Sequence, residues 1–356
     1  MISLNHMYIR LIVGFVVFLK CLNAAADPAT ERLSKEVAGK GWIVYSAFTP
    51  KGDWDLFLSR PDGTHITNIT NTPGTNEIGG RFSPDGKRIL FRRIAPGTKI
   101  HHDTWGAAGQ LVIADSNGLH PVIFGEAGEF PWASWSPDGK QLACLTRSGI
   151  EIRDIATKAI VRKLDRNGIY QQLFWSPDGK WFTGPANRFG ESWTVVRMNI
   201  ETGEVNPVAK FQNCTPDWFP DAKHLIYSSR PANQEMSDLG KAAQQVGQPA
   251  GYGWTQLWMS DGDGQNRKLL YGEEGRHLYG GAVSPNGKYV MFTRSRNDGD
   301  LQTSTIGIMR LADAPLVSGD SNALRKLYPQ AKAGPFLTLQ AGWEPHWTFS
   351  SIAVVK

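Results

Sequence analysis

A six-residue pattern recurs along this chain and limits what it can fold into. It reads Phe82-Ser83-Pro84-Asp85-Gly86-Lys87, then Trp135-Ser136-Pro137-Asp138-Gly139-Lys140, then Trp175-Ser176-Pro177-Asp178-Gly179-Lys180. Two looser copies follow, Trp218-Phe219-Pro220-Asp221-Ala222-Lys223 and Val283-Ser284-Pro285-Asn286-Gly287-Lys288, and a degraded one stands at Trp347-Thr348-Phe349-Ser350-Ser351. Ser-Pro-Asp-Gly suits a type I turn: Ser caps at the first position, Pro fixes φ at the second, and Gly is favoured at the fourth. Each copy therefore predicts a tight hairpin corner.

The segments after the corners, such as Ile89-Leu90-Phe91, Leu225-Ile226-Tyr227 and Tyr289-Val290-Met291-Phe292, are short continuous apolar runs. Runs of that kind belong to strands covered on both faces. A second recurring element is a strand running into a polar turn, as in Leu56-Phe57-Leu58 before Pro61-Asp62-Gly63. One hairpin cannot bury two apolar faces, whereas sheets stacked radially bury all but their outer edges. The fold class this predicts is all-β: a six-bladed β-propeller of four-stranded antiparallel blades. The first strands, from Trp42 to Ile69, have no corner motif ahead of them. Their missing inner strand is expected from the C-terminus, around His346 to Thr348, so that pairing of the chain ends closes the ring and removes an exposed edge.

Ahead of the repeats stand Arg10, the apolar run Leu11 to Leu19, and Ala24-Ala25-Ala26, an order that reads as a signal peptide over residues 1–26. The run is too short to span a bilayer. Cys21 follows Lys20, which does not suit lipid attachment. Residues 27–41 read as a linker and 42–356 as the propeller, exported to the periplasm or secreted. Loss of residues 1–26 removes Arg10 and Lys20 and lowers the net charge from +5 to +3, too mild to argue for nucleic acid. Cys144 and Cys214 then remain, with no CxxC spacing, so a disulfide framework is not expected. A monomer without a membrane span is the expected mature form.

These repeats resemble the WD40-like (PD40) repeats of the TolB-like propeller family, over nearly all of residues 42–356. The resemblance implies a periplasmic binding module that recognises a protein or peptide partner in the cell envelope and needs no cofactor. TolB carries a separate α/β domain ahead of its propeller, whereas blade material here starts by Trp42, so contacts made by that domain do not carry over.

If the corners line one face, the loops leading into each inner strand and those between second and third strands share the other. Long stretches fall there, at Ile94 to Gly109, Arg230 to Thr255, Ser295 to Thr305 and Pro329 to Glu344. Binding residues concentrate on such loops. The candidates are His101, His102, Asp103 and Trp105 in the first insertion, Arg230 and Trp254 at the ends of the second, and Arg188, His277, Arg294, Glu344 and His346 near the channel. An arginine pair such as Arg188 with Arg294 would suit a carboxylate. Asp261-Gly262-Asp263-Gly264 lacks the later ligands of a calcium loop and reads as a hairpin turn.

No GxSxG elbow and no repeated sialidase pattern are present. The alternative is a metal-dependent carbohydrate-active enzyme. Oligogalacturonate lyases are propellers with similar repeats that hold a divalent metal through histidines near the channel. That resemblance would place the ion on His277 and His346, although Gly342-Trp343-Glu344-Pro345-His346-Trp347 offers one histidine where the family has several.

Overall fold

The computed structural model describes residues 27–98, 100, 109–189, 193–210, 213–229, 255–273, 276–296, 301–318 and 336–353. In chain order the strands begin with β1 (Trp42–Phe48), β2 (Trp54–Ser59) and β3 (Thr67–Asn68). Blade I follows as β4 (Asn76–Phe82), β5 (Arg88–Ile94), β6 (Gly109–Asp115) and β7 (Val122–Phe124). Blade II is β8 (Trp132–Trp135), β9 (Gln141–Leu145), β10 (Ile150–Asp154) and β11 (Ile160–Leu164). Blade III is β12 (Phe174–Trp175), β13 (Trp181–Ala186), β14 (Thr194–Asn199) and β15 (Val205–Ala209). Blade IV is β16 (Asn213–Trp218), β17 (His224–Ser229), β18 (Gln256–Asp261) and β19 (Lys268–Tyr271). Blade V is β20 (His277–Val283), β21 (Tyr289–Ser295), β22 (Thr305–Arg310) and β24 (Phe336–Ala341). Between the last two, β23 (Val317–Ser318) crosses back and pairs with β19 as a fifth strand on blade IV. Finally β25 (Trp343–Thr348) joins β1 to complete blade VI in the order β25-β1-β2-β3.

The ring closes as the sequence predicts: Trp42 pairs with Thr348, Ile43 with Trp347 and Val44 with His346. Neighbouring blades pack face to face. Val44 and Leu56 of blade VI meet Phe82, Ile89 and Phe91 of blade I, and Ile226 and Leu257 of blade IV meet Leu278, Val290 and Phe292 of blade V. Covered on both faces, these strands need apolar residues at successive positions, which is why they read as continuous runs.

The corners show why their spacing repeats. Ser83 Oγ accepts from the Arg88 N–H (3.0 Å) and donates to Asp85 Oδ1 (2.6 Å), which also accepts from the Lys87 N–H (3.1 Å). Ser136/Asp138 and Ser176/Asp178 repeat this network. Gly86 closes the turn at φ +67, a left-handed value that costs glycine little. In blade IV, Ala222 holds the same place at φ +57. Its Cβ makes that conformation unfavourable by ~1–2 kcal/mol, partly offset by the greater unfolded-state entropy of glycine. Ala222→Gly is thus expected to stabilise the protein by roughly 0.5–1 kcal/mol, visible as a higher urea midpoint with an unchanged slope. A lower midpoint would show that the alanine methyl packs in the turn.

Three further features differ from or refine the sequence reading. Within the 27–41 segment a helix, α1 (Pro28–Val37), starts with Asp27 as N-cap and Pro28 at its first turn. Its buried Leu33 and Val37 pack with Ile306, Ile308, Leu337 and Leu339 of blade V and Ile43 of blade VI, covering the seam beside the closing strand. Part of the stretch from Pro329 to Glu344 is strand, since β24 forms the outer edge of blade V. Asp261 to Gly264 is the hairpin turn joining β18 and β19, with the Gly264 N–H donating to the Asp261 carbonyl at 2.8 Å. No helix among the described residues is long and apolar enough to cross a membrane.

Candidate functional site

The six inner strands β4, β8, β12, β16, β20 and β25 surround the channel, and the repeat puts equivalent residues at equal depths in it. Counted from the first corner residue (Ser83, Ser136, Ser176, Phe219, Ser284 or Thr348), the position two before it carries Arg81, Ser134, Phe174, Asp217, Ala282 and His346. One before it stand Phe82, Trp135, Trp175, Trp218, Val283 and Trp347. Four before it, the chain is left-handed in five blades, at Gly79, Gln172, Thr215, Gly280 and Glu344. In four of them the pairing register slips there, leaving a bulge of two residues. The backbone N–H groups freed by these bulges find partners in the neighbouring blade. Thr215 N–H donates to Gln172 Oε1 (3.2 Å), Gly280 N–H to Thr215 Oγ1 (3.1 Å), Glu344 N–H to Thr293 Oγ1 (3.1 Å) and Gly79 N–H to Ser46 Oγ (3.1 Å). A polar collar thus ties blades III to VI and I around the channel.

At the corner-turn end the channel widens into a pocket of about 390 Å³. Its wall is the repeated motif itself: Phe82, Trp135, Trp175, Trp218 and Trp347, with Pro84, Pro137, Pro177, Pro220 and Pro285. The floor is polar. Arg81 of blade I crosses to Asp217 of blade IV, three blades away, with Nη1 3.6 Å from Oδ2, and lies over the Phe174 ring at 4.9 Å. His346 Nδ1 accepts from the Phe82 N–H at 3.1 Å. Burial, helped by the nearby Arg81 cation, lowers the imidazole to a pKa of about 3, so the ring is neutral and carries its proton on Nε2. Asp217 accepts from the Trp218 N–H at 2.8 Å, and burial raises its pKa against the pull of Arg81.

Deeper along the channel lies Glu344, 1% exposed, with neither carboxylate oxygen hydrogen-bonded among the described residues. Burial raises it to a pKa of about 8, against the opposing attraction of Arg92 and Arg81. Its φ of +53 is the strained value that glycine occupies in blades I and V.

His101, His102, Asp103, Trp105, Arg230 and Trp254 lie outside the described residues. The other candidates are spread through the structure. Arg188 donates to Asn167 Oδ1 at 2.8 Å and lies beside the Phe189 ring, on the β13–β14 connection. Arg294 is held by Glu273 through Nε (2.9 Å) and Nη2 (2.7 Å) and by Thr338 Oγ1 (3.0 Å), a bidentate clamp inside blade V. His277 begins β20, its Nδ1 3.3 Å from the Thr255 N–H. His346 stands two residues from its corner and His277 seven, a difference of roughly 16 Å of strand rise at ~3.3 Å per residue. The two histidines stand at different depths of neighbouring inner strands, β20 and β25. His346 lies with Arg81, Asp217 and Phe174 on the floor of one pocket, and Glu344 stands two residues before His346 on the same strand. The signal for it was available: aligned on the corner serine, the column two residues earlier collects Arg81, Asp217 and His346.

Geometrically, the closed ring and the corner-walled channel match solved propellers. The TolB structure from Acinetobacter baumannii superposes with a TM-score of 0.60 at 18% identity, covering 87% of this chain and 67% of that one. A putative TolB from Agrobacterium tumefaciens gives a TM-score of 0.53 at 17% identity, over 85% and 90% of the two chains. The chain has the fold of the TolB propellers. A chain of a nidogen/laminin complex matches at a TM-score of 0.52 and 12% identity, over 76% and 89%. No family model matches the sequence. No curated protein matches it either.

Proposed function

We propose that this protein is an exported binding module that holds a peptide segment of an envelope protein in the corner-turn mouth of its channel. The observation that carries the proposal is the pocket of about 390 Å³, walled by aromatic rings and prolines contributed by every blade around a charged floor. Aromatic anchors in desolvated pockets dominate peptide and protein recognition, and a rigid ring spends little entropy on ordering the site. The likeness to a propeller solved within a nidogen/laminin complex, and to TolB structures, supports a propeller used for recognition.

Site-specific photocrosslinking tests the proposal. A photoreactive residue at Pro177, on the mouth, is expected to give one covalent adduct with a protein from an envelope extract of the source organism. Trp175→Ala should weaken that capture by about tenfold or more, since Trp175 is the partly exposed wall residue whose loss disturbs the core least. Adducts formed only from a probe placed at Arg188 would move the binding surface to the opposite, loop-bearing face.

A further inference from the structure

We infer that the floor of this pocket recognises a carboxylate, and that its source is the C-terminus of the bound segment; the inference rests on the peptide-binding reading above. Arg81 supplies the first reason. Its Nε and Nη1 are buried without a hydrogen-bond partner, and the oxygen it faces, Asp217 Oδ2 at 3.6 Å, is beyond hydrogen-bond length. A guanidinium offers five N–H donors, and burying them unpaired is costly unless an acceptor arrives.

Donors from two other blades face the same floor. The Phe82 N–H occupies Nδ1 of His346, so its remaining ring nitrogen carries hydrogen. Ser134 Oγ accepts from the Trp175 N–H at 3.0 Å through its oxygen, which leaves the hydroxyl proton available. This floor holds a cation and two neutral donors against one carboxylate, Asp217, whose charged form burial disfavours, and an incoming carboxylate fits a guanidinium in bidentate fashion. An N-terminal ammonium would meet these donors with one acceptor, Asp217, whose Oδ1 takes the Trp218 N–H and whose Oδ2 faces Arg81.

The way in argues for a chain end. The Arg81–Asp217 pair lies across the channel beneath the aromatic ring, so a peptide cannot thread through and must stop or turn back there. A terminal carboxylate enters along the axis with its last side chains against the tryptophans. An internal acidic side chain would have to lay its backbone across the mouth.

The test uses the intact protein and three probes: a pool of N-acetylated tripeptides as free acids, the same pool as C-terminal amides, and amides with Asp fixed at the last position. Binding is read from the indole N–H resonances of Trp135, Trp175 and Trp218 during titration. Free acids are expected to bind about tenfold or more tightly than the amides, as befits a hydrogen-bonded charge. Arg81→Gln should abolish the difference, and Arg81→Lys should restore part of it. Trp175→Ala should weaken acids and amides alike. Equal binding of acids and amides, both weakened by Trp175→Ala, would overturn the carboxylate inference while leaving the pocket as a peptide site. Asp-terminated amides that match the free acids would assign the carboxylate to a side chain and overturn the terminal assignment. If no pool shifts the pocket indoles, both readings fail. The acid and amide comparison needs no variant, so it stands even where Arg81→Gln does not fold.

Discussion

A chain ending at Gly342 is expected to show no cooperative unfolding transition and no near-ultraviolet circular-dichroism signature of packed tryptophans. The last strand, β25, is the inner strand of a blade whose other three strands come from the beginning of the chain. Without it, β1 loses the partners of Trp42, Ile43, Val44 and Ser46 and becomes an open edge facing the channel. Trp343, 1% exposed and edge-on to Trp54 at 5.9 Å, and Trp347, 3% exposed, are lost with it. Each buried aromatic covers ~150–250 Å², worth roughly 4–6 kcal/mol at ~25 cal/mol per Å². Two of them together match the ~5–15 kcal/mol by which a native protein exceeds its unfolded state. Adding a synthetic peptide of residues 343–356 should restore the transition, because the missing strand is defined by its pairing and needs no covalent link. A truncated chain that melts cooperatively within a few degrees of the full one would show that the ring does not depend on this closure.

The closure was legible before the structure for a reason that does not extend to the site. Corner chemistry is local: Ser, Asp and Gly satisfy one another within five residues, so the motif marks an inner strand wherever it occurs, and a set of outer strands without one requires a strand from elsewhere. Helix α1 was less legible. Its amphipathic face is two residues, Leu33 and Val37, and only the seam between blades V and VI gives them a partner. The pocket depends on a different kind of information. Arg81 is one arginine among many until the repeats are aligned, and its meaning lies in Asp217, on a blade across the ring. The bulges at Gly79-Gly80, Thr215-Pro216, Gly280-Gly281 and Glu344-Pro345 also upset simple alternation, so a count of in and out along a strand fails on one side of each. The loops that drew attention in the sequence are long and polar, whereas the pocket wall is made from the motif residues that looked purely structural.

Replacing Glu344 by Gln is expected to leave stability nearly unchanged at pH 5 and to raise it at pH 8. The side chain is buried, has no hydrogen bond among the described residues, and is raised from an ordinary 4.5 to about 8 mainly by burial, with Arg92 and Arg81 pulling the other way. A carboxyl whose pKa is higher in the folded state holds its proton there while the unfolded chain releases it. Its contribution to stability is therefore fully present below pH ~4.5 and is lost as the pH rises towards ~8, with a slope approaching about 1.4 kcal/mol per pH unit. Across that window the loss amounts to a few kcal/mol. Glu344→Gln, which keeps the shape and cannot ionise, should unfold at nearly the same urea concentration as the parent at pH 5 and at a distinctly higher one at pH 8. Asp217 and Glu77, raised by burial in the same direction, add to the slope in the variant, and Asp217→Asn should lessen it. His346 acts at the other end. Its lowered pKa makes the folded protein lose stability as the pH falls below ~6.5 towards ~3, so the acid limb should be the same in both proteins. Parallel stability curves for the parent and Glu344→Gln between pH 5 and 8 would mean that the carboxyl is ionised in the folded channel and paired with Arg92 or Arg81. The channel would then carry a negative charge at Glu344, beneath the pocket floor.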